Sequence, residues 1–282
     1  MVKKALLIGI NYKNTENELH GCINDVLNIQ QFLTTYCLFH IQNIHVLTDE
    51  TEMKPTSSNI QSQIKWLVSN NVKGDTLVFY YSGHGSNVQD YNGDETDSRD
   101  ETLVPLDFQT SGLIKDDYLF TNLIYKVPKG VSLCCFSDSC HSGSIVDLKY
   151  NFKCSTSLKK GKTVSDNKYV PLDWSDNFSF SLERSKEVVG NICLLSGCRD
   201  AEFSTDAYVE NKNQGAFTFC LLKILNNNLI SLDDSKRFNN GTLKLRNLLK
   251  ELNVRLYMNG FTDQHSQLSL SKMEDVERTL DL

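Results

Sequence analysis

The feature that most constrains this chain is a series of short apolar runs separated by amphipathic stretches. Ala5 to Ile10, Asn43 to Leu47, Thr76 to Tyr81, Val131 to Phe136 and Asn191 to Leu195 are apolar or β-branched and only a few residues long. Runs of that length and character predict buried strands. Between them, Cys22 to Thr34 repeats apolar residues at Val26, Ile29 and Leu33, and Thr56 to Ser69 does so at Ile60, Ile64 and Leu67, the spacing of one helix face. Strands and helices in alternation need crossover connections, which predicts an α/β sandwich with a mainly parallel central β-sheet flanked by helices.

Further along, Asp116 to Lys126, Asn213 to Leu225 and Gly241 to Met258 are predicted helices, the last with Leu245, Leu248, Leu249, Leu252 and Leu256 on one stripe. Lys149 to Lys186 is polar, rich in Ser, Lys and Asp, and follows neither period, so a long surface loop is expected there. The expected organisation is a first part over residues 1–148, a linker over 149–188 and a second part over 189–282, together forming one domain.

A formal charge of −6, with acidic residues spread along the chain, leaves no broad basic surface for a phosphate backbone, so nucleic acid is not expected as a partner. No run approaches the ~18 apolar residues of a membrane span. The opening Met1 to Ile10 is too short for a secretory leader and lacks a cleavage site. Nine cysteines without regular spacing, several inside apolar runs (Cys134, Cys135, Cys193, Cys220), predict free thiols in a reducing, cytoplasmic compartment.

Chemistry gathers at the carboxyl ends of parallel strands, where loops converge on one crevice. Two such ends stand out: Thr76 to Tyr81 runs into Ser82-Gly83-His84-Gly85, and Val131 to Phe136 runs into Ser137-Asp138-Ser139-Cys140-His141-Ser142-Gly143. Small residues around His84 and Cys140 present each side chain instead of packing it. A thiol with a pKa near ~8.5 needs a neighbouring base to become a nucleophile, and His84 is the candidate. Their order agrees with that of caspases, in which the histidine lies about 50 residues upstream; here the gap is 56. The N–H groups of Gly85 and Cys140 are candidate oxyanion donors. His141 is adjacent to the thiol, but neighbouring residues in an extended turn are expected to point apart, so it is a poor candidate for the base. Asp25, at a helix start, and Asp138, two residues before the thiol, can both face the crevice and accept a guanidinium or ammonium group.

Gly9-Ile10-Asn11-Tyr12, Leu19-His20-Gly21-Cys22-Ile23-Asn24-Asp25, Tyr81-Ser82-Gly83-His84-Gly85 and Asp138-Ser139-Cys140-His141-Ser142-Gly143 resemble metacaspase motifs. So do Ser196-Gly197-Cys198-Arg199-Asp200 and Gln214-Gly215-Ala216-Phe217-Thr218 in the small-subunit portion. The resemblance is to a type I core without its prodomain. It implies a caspase-like fold, a Cys140 and His84 dyad, cleavage of proteins or peptides after Arg or Lys, and a monomer. It adds Cys22 and Ser82 to the pocket for the basic side chain. The match weakens near the end, where His265 and Ser266 stand in place of a frequent Thr-Pro pair.

The stretch Asp90 to Glu101 imitates an EF-hand loop but has Glu95 where glycine is needed and lacks flanking helices, so that reading is set aside. The resemblance instead implies a calcium site made by Asp100, Asp116, Asp117 and Asp147, in which a cation would relieve the repulsion of gathered carboxylates. Calcium would then order the loop that carries Cys140. Lys159, Lys160, Lys162 and Lys168 are expected sites of self-cleavage in the linker. The competing readings are a catalytically silent, calcium-responsive binding module of the same fold, a zinc protein, which lacks any paired C-x-x-C spacing, and the related arginine-specific or asparagine-specific peptidases of the same fold, which share the dyad but not the calcium aspartates.

Overall fold

A computed structural model describes all residues except 90–98, 141, 143–144, 154–187, 199–204, 233–234 and 240. In chain order its strands are β1 (Lys3–Gly9), β2 (Ile44–Thr48), β3 (Thr76–Ser82), β4 (Gly85–Gln89), β5 (Arg99–Leu103), β6 (Ile114–Lys115), β7 (Ser132–Asp138), β8 (Tyr150–Lys153), β9 (Asn191–Ser196), β10 (Asp206–Val209), β11 (Lys212–Gly215), β12 (Leu229–Leu232), β13 (Ser235–Phe238) and β14 (Gln267–Leu270). Its helices are α1 (Cys22–Tyr36), α2 (Ser57–Val68), α3 (Phe108–Ser111), α4 (Asp116–Leu119), α5 (Ala216–Asn227) and α6 (Leu245–Met258).

Seven strands form the central sheet in the order β2-β1-β3-β7-β9-β14-β8. The first five are mutually parallel, and β14 runs antiparallel to both β9 and β8. Because both faces are covered, successive residues of a strand serve opposite cores: Ala5, Leu7 and Cys134 pack against α1, α5 and α6, while Leu6, Ile8 and Cys135 pack against α2 and the segment after α4. β3 is buried along its whole length, so it is the floor from which the His84 loop departs. Among the described residues no helix is long and apolar enough to cross a membrane.

Four expected elements differ in detail, the first being the helix predicted over 241–258, which begins only at Leu245. The predicted helix over 116–126 is an α turn, Asp116–Leu119, that widens into a π turn over Phe120–Ile124. The predicted helix over 213–225 begins only at Ala216, because Asn213 to Gly215 pair with β10 as a hairpin. At the start of the polar stretch, Tyr150–Lys153 forms an edge strand on β14; its two central residues, Asn151 and Phe152, are both buried, which a polar run does not foreshadow. Residues 154–187, including the four candidate lysines, lie outside the described residues.

Candidate active site

Parallel pairing of β3 with β7 sets Ser82 opposite Asp138, so His84 and Cys140 each stand two residues beyond the matched strand ends. The two loops touch: Gly83 N–H donates to the Asp138 carbonyl at 3.4 Å. A Cβ on Gly85 would lie 1.9 Å from the Cys140 carbonyl oxygen, a contact only glycine permits.

His84 is held on three sides. Its ring rests on Tyr12, centroids 4.8 Å apart, and its backbone N–H donates to Tyr12 Oη at 3.1 Å. Tyr12 Oη in turn donates to the Val104 carbonyl at 2.6 Å, and Tyr81 Oη donates to the His84 carbonyl at 2.7 Å. Burial pushes both phenols upward, which keeps them donors. His84 Nε2 is 2.7 Å from the Asn17 carbonyl. A carbonyl only accepts, so Nε2 carries the hydrogen and Nδ1 keeps the lone pair in the neutral ring.

Cys140 is half-exposed, whereas the other described cysteines are buried. Burial raises the Cys198 thiol to about 12 and holds Cys22 well above its ordinary value, so neither competes as a nucleophile. The turn before Cys140 is braced by Ser142 Oγ and Cys198 Sγ, which donate to the Ser139 carbonyl at 2.8 and 3.1 Å.

His84, Cys140, Cys22, Asp25, Ser82 and Asp138 line one pocket, together with Gly83, Leu19, Thr205, Asp206 and Gly215. Asp25 is fully buried at the first turn of α1. It accepts from Ser82 Oγ at 2.9 Å and from Gly215 N–H at 3.0 Å. Asp138 accepts from Thr218 N–H at 2.9 Å and Thr218 Oγ1 at 2.7 Å. Desolvation first, and then the Asp138 charge, push Asp25 well above the carboxylate range, against the pull of Gly215 and Ser82. A cation entering here would meet two buried carboxylates and reverse that shift.

A second acidic group sits on the small β4-β5-β6 sheet. Pairing of Thr102 with Lys115 brings Asp100 beside Asp116 and Asp117, whose carboxylate oxygens lie within 4.8 Å of one another. Asp116 accepts from Glu101 N–H and Asp117 N–H, both at 2.7 Å. Asp100 is buried, its Oδ2 bonded to Lys115 Nζ at 2.5 Å and its Oδ1 buried without a hydrogen-bond partner. A hard divalent cation fits such an all-carboxylate set. Asp147, the fourth candidate, is buried with φ of +45° but does not join the group within that distance.

Five contributors owe their part in the site to tertiary structure. The Asn17 carbonyl that sets the His84 tautomer belongs to the backbone, so any residue type would serve. Asp206 and Thr205 reach the pocket only because the hairpin folds back over α1. Gly215 and Thr218 lie in a recognised motif, yet their donation to Asp25 and Asp138 follows from the packing of α5.

Residues 3–149 match the family description "Metacaspase, peptidase C14 domain". A Metacaspase-1 of Lodderomyces elongisporus is 36% identical over 80% of this chain and 58% of that protein. A Metacaspase-1 of Scheffersomyces stipitis is 32% identical over 97% of this chain and 72% of that protein. The chain thus spans less than two thirds of the length of the Lodderomyces protein. Among solved structures, protein GSU0716 from Geobacter sulfurreducens superposes with a TM-score of 0.63 at 22% identity, covering 99% of this chain and 97% of that one.

Proposed function

The chain belongs to the metacaspase family of C14 cysteine peptidases, and from that premise we propose that it is an endopeptidase cutting after Arg or Lys with Cys140 as nucleophile and His84 as acid and base. The observation that carries this reading is the single pocket in which His84 and Cys140 meet the buried carboxylates Asp25 and Asp138. A basic side chain seated on those carboxylates places the following peptide bond beside the thiol.

The chemistry then runs in two balanced halves. The Cys140 proton passes to His84 Nδ1 as Sγ attacks the carbonyl carbon, and the oxyanion is received by the N–H groups of Gly85 and Cys140. Nδ1–H returns the proton to the leaving nitrogen, the C–N bond breaks, and a thioester remains. Water, deprotonated by Nδ1, then releases the acid and restores the thiol. The Asn17 carbonyl holds Nε2–H throughout, so the same nitrogen serves both halves.

Calcium is proposed to bind Asp100, Asp116 and Asp117, with Asp147 drawn in from the Cys140 loop. Its contribution would be order and charge compensation, with no part in bond making. The orphaned Oδ1 of Asp100 and the carboxylate donor set support that assignment.

The test is hydrolysis of fluorogenic peptides ending in Arg, Lys, Asp or Asn, with and without calcium, by wild type and by Cys140→Ala. Turnover restricted to Arg and Lys, raised by calcium and absent in the variant, is expected. Turnover after Asp or Asn, or in the variant, would overturn the assignment. The same variant tests self-processing: fragments ending in the linker should form only with Cys140 intact.

A further inference from the structure

The pocket holds a third carboxylate. Asp206 opens the β10–β11 hairpin, lines the same pocket as Asp25 and Asp138, and is exposed at its mouth. Its charge reaches inward, since it adds to the forces that raise both Asp25 and Cys22. Its position is also pinned. Oδ2 accepts from His20 N–H at 2.6 Å, and Oδ1 lies 2.4 Å from where a Cβ on Gly21 would be. α1 has no side-chain cap of its own at Gly21, so the contact ties the turn entering α1 to the hairpin that carries Gly215.

Resting on the basic-residue reading above, we infer that Asp206 is a specificity-determining residue, the outer carboxylate that selects a cationic substrate side chain. Asp25 and Asp138 are buried and spend their oxygens on Ser82, Gly215 and Thr218. Burial, and then the Asp138 charge, moreover raise the Asp25 pKa. Asp206 instead stays in contact with water and meets the entering cation before that cation is desolvated. Charge at a rim steers and selects, whereas buried acceptors fix the final pose.

The inference is tested by binding to otherwise intact protein carrying Cys140→Ala, which forms no thioester. Two peptides are compared, one with Arg at the cleavage position and one with citrulline, the neutral isostere. Asp206→Asn keeps an oxygen acceptor for His20 and removes only the charge. It is expected to raise the Kd for the Arg peptide about 10-fold, to leave the citrulline peptide unchanged, and to flatten the salt dependence of Arg binding. An Arg-peptide Kd unaltered by Asp206→Asn, or an equal loss for both peptides, would overturn the role. Failure of the parent protein to prefer Arg over citrulline would instead bring down the basic-residue reading and this inference with it. An unchanged Tm for Asp206→Asn excludes unfolding as the cause of any loss.

Discussion

Gly215 directs its backbone N–H at both carboxylate oxygens of Asp25, each 3.0 Å away, across 190 residues of chain. The contact joins the hairpin of the second part to the first turn of α1. A Cβ on Gly215 would lie 2.0 Å from Asp138 Oδ2 and 2.9 Å from Asp25 Oδ2. Its φ of −67° is open to any residue, so the demand for glycine is steric. Gly215→Ala should therefore push the two carboxylates apart and lower kcat/KM for an Arg peptide by about 100-fold or more, an effect comparable to misplacing a positioning group. A circular dichroism spectrum like that of wild type would show that the loss is local.

Asp25 links the pocket to pH. Its folded pKa lies above the unfolded value near ~3.9, so the native state holds more protons and stability must fall as pH rises through that window. In Cys140→Ala protein, Tm should decline over that rise, and adding Asp25→Asn should flatten the decline. A bound guanidinium favours the carboxylate. Binding of an Arg peptide should therefore release a proton and tighten with increasing pH, which calorimetry in buffers of different ionisation enthalpy would detect.

Tyr12 supports His84, the proposed base. Its hydroxyl accepts from the His84 N–H and donates to the Val104 carbonyl. Tyr12→Phe keeps the ring under His84 and removes both bonds. The expected result is a kcat about 10-fold lower with KM little changed, because the imidazole loses its fixed position while the carboxylate pocket is untouched. An equal rise in KM would assign Tyr12 to substrate binding instead.

Lys115 supplies the charge that a bound metal would replace. Its ammonium already faces the buried Asp100 carboxylate beside Asp116 and Asp117. Lys115→Met should tighten calcium binding about 5-fold or more and lower Tm without calcium, since the gathered carboxylates then lack their tethered cation. Calorimetric titration of Cys140→Ala protein measures both the affinity and its change.

Asp147→Ala should raise the calcium concentration needed for half-maximal peptidase rate without altering the circular dichroism spectrum. An unchanged calcium requirement would exclude Asp147 from the metal site.

Much of this was legible before any coordinates. Short apolar runs mark β1, β2, β3, β7 and β9, because a strand covered on both faces is apolar throughout, and a 3.6-residue period marks α1 and α2, each buried along one face. The His84 and Cys140 loops were legible as well, since small residues after an apolar run mark a strand end. In β11, Asn213 to Gly215 fit the predicted helix over 213–225 because they adjoin an apolar helix and carry no alternation. β8 was hidden for the same reason: its four residues have too little period to rise above a polar stretch.

By itself the amino-acid order determined the alternation of strand and helix, and therefore a sheet whose carboxyl edge collects His84, Cys140, Asp25 and Asp138. Local periodicity and turn chemistry suffice for that. Only tertiary structure decided which atoms do the holding: the Asn17 carbonyl on Nε2, the Gly215 amide on Asp25 and the Asp206 carboxylate at the mouth. Those contacts join segments far apart in the chain, through backbone groups that every residue type shares, and no pattern of side chains encodes them.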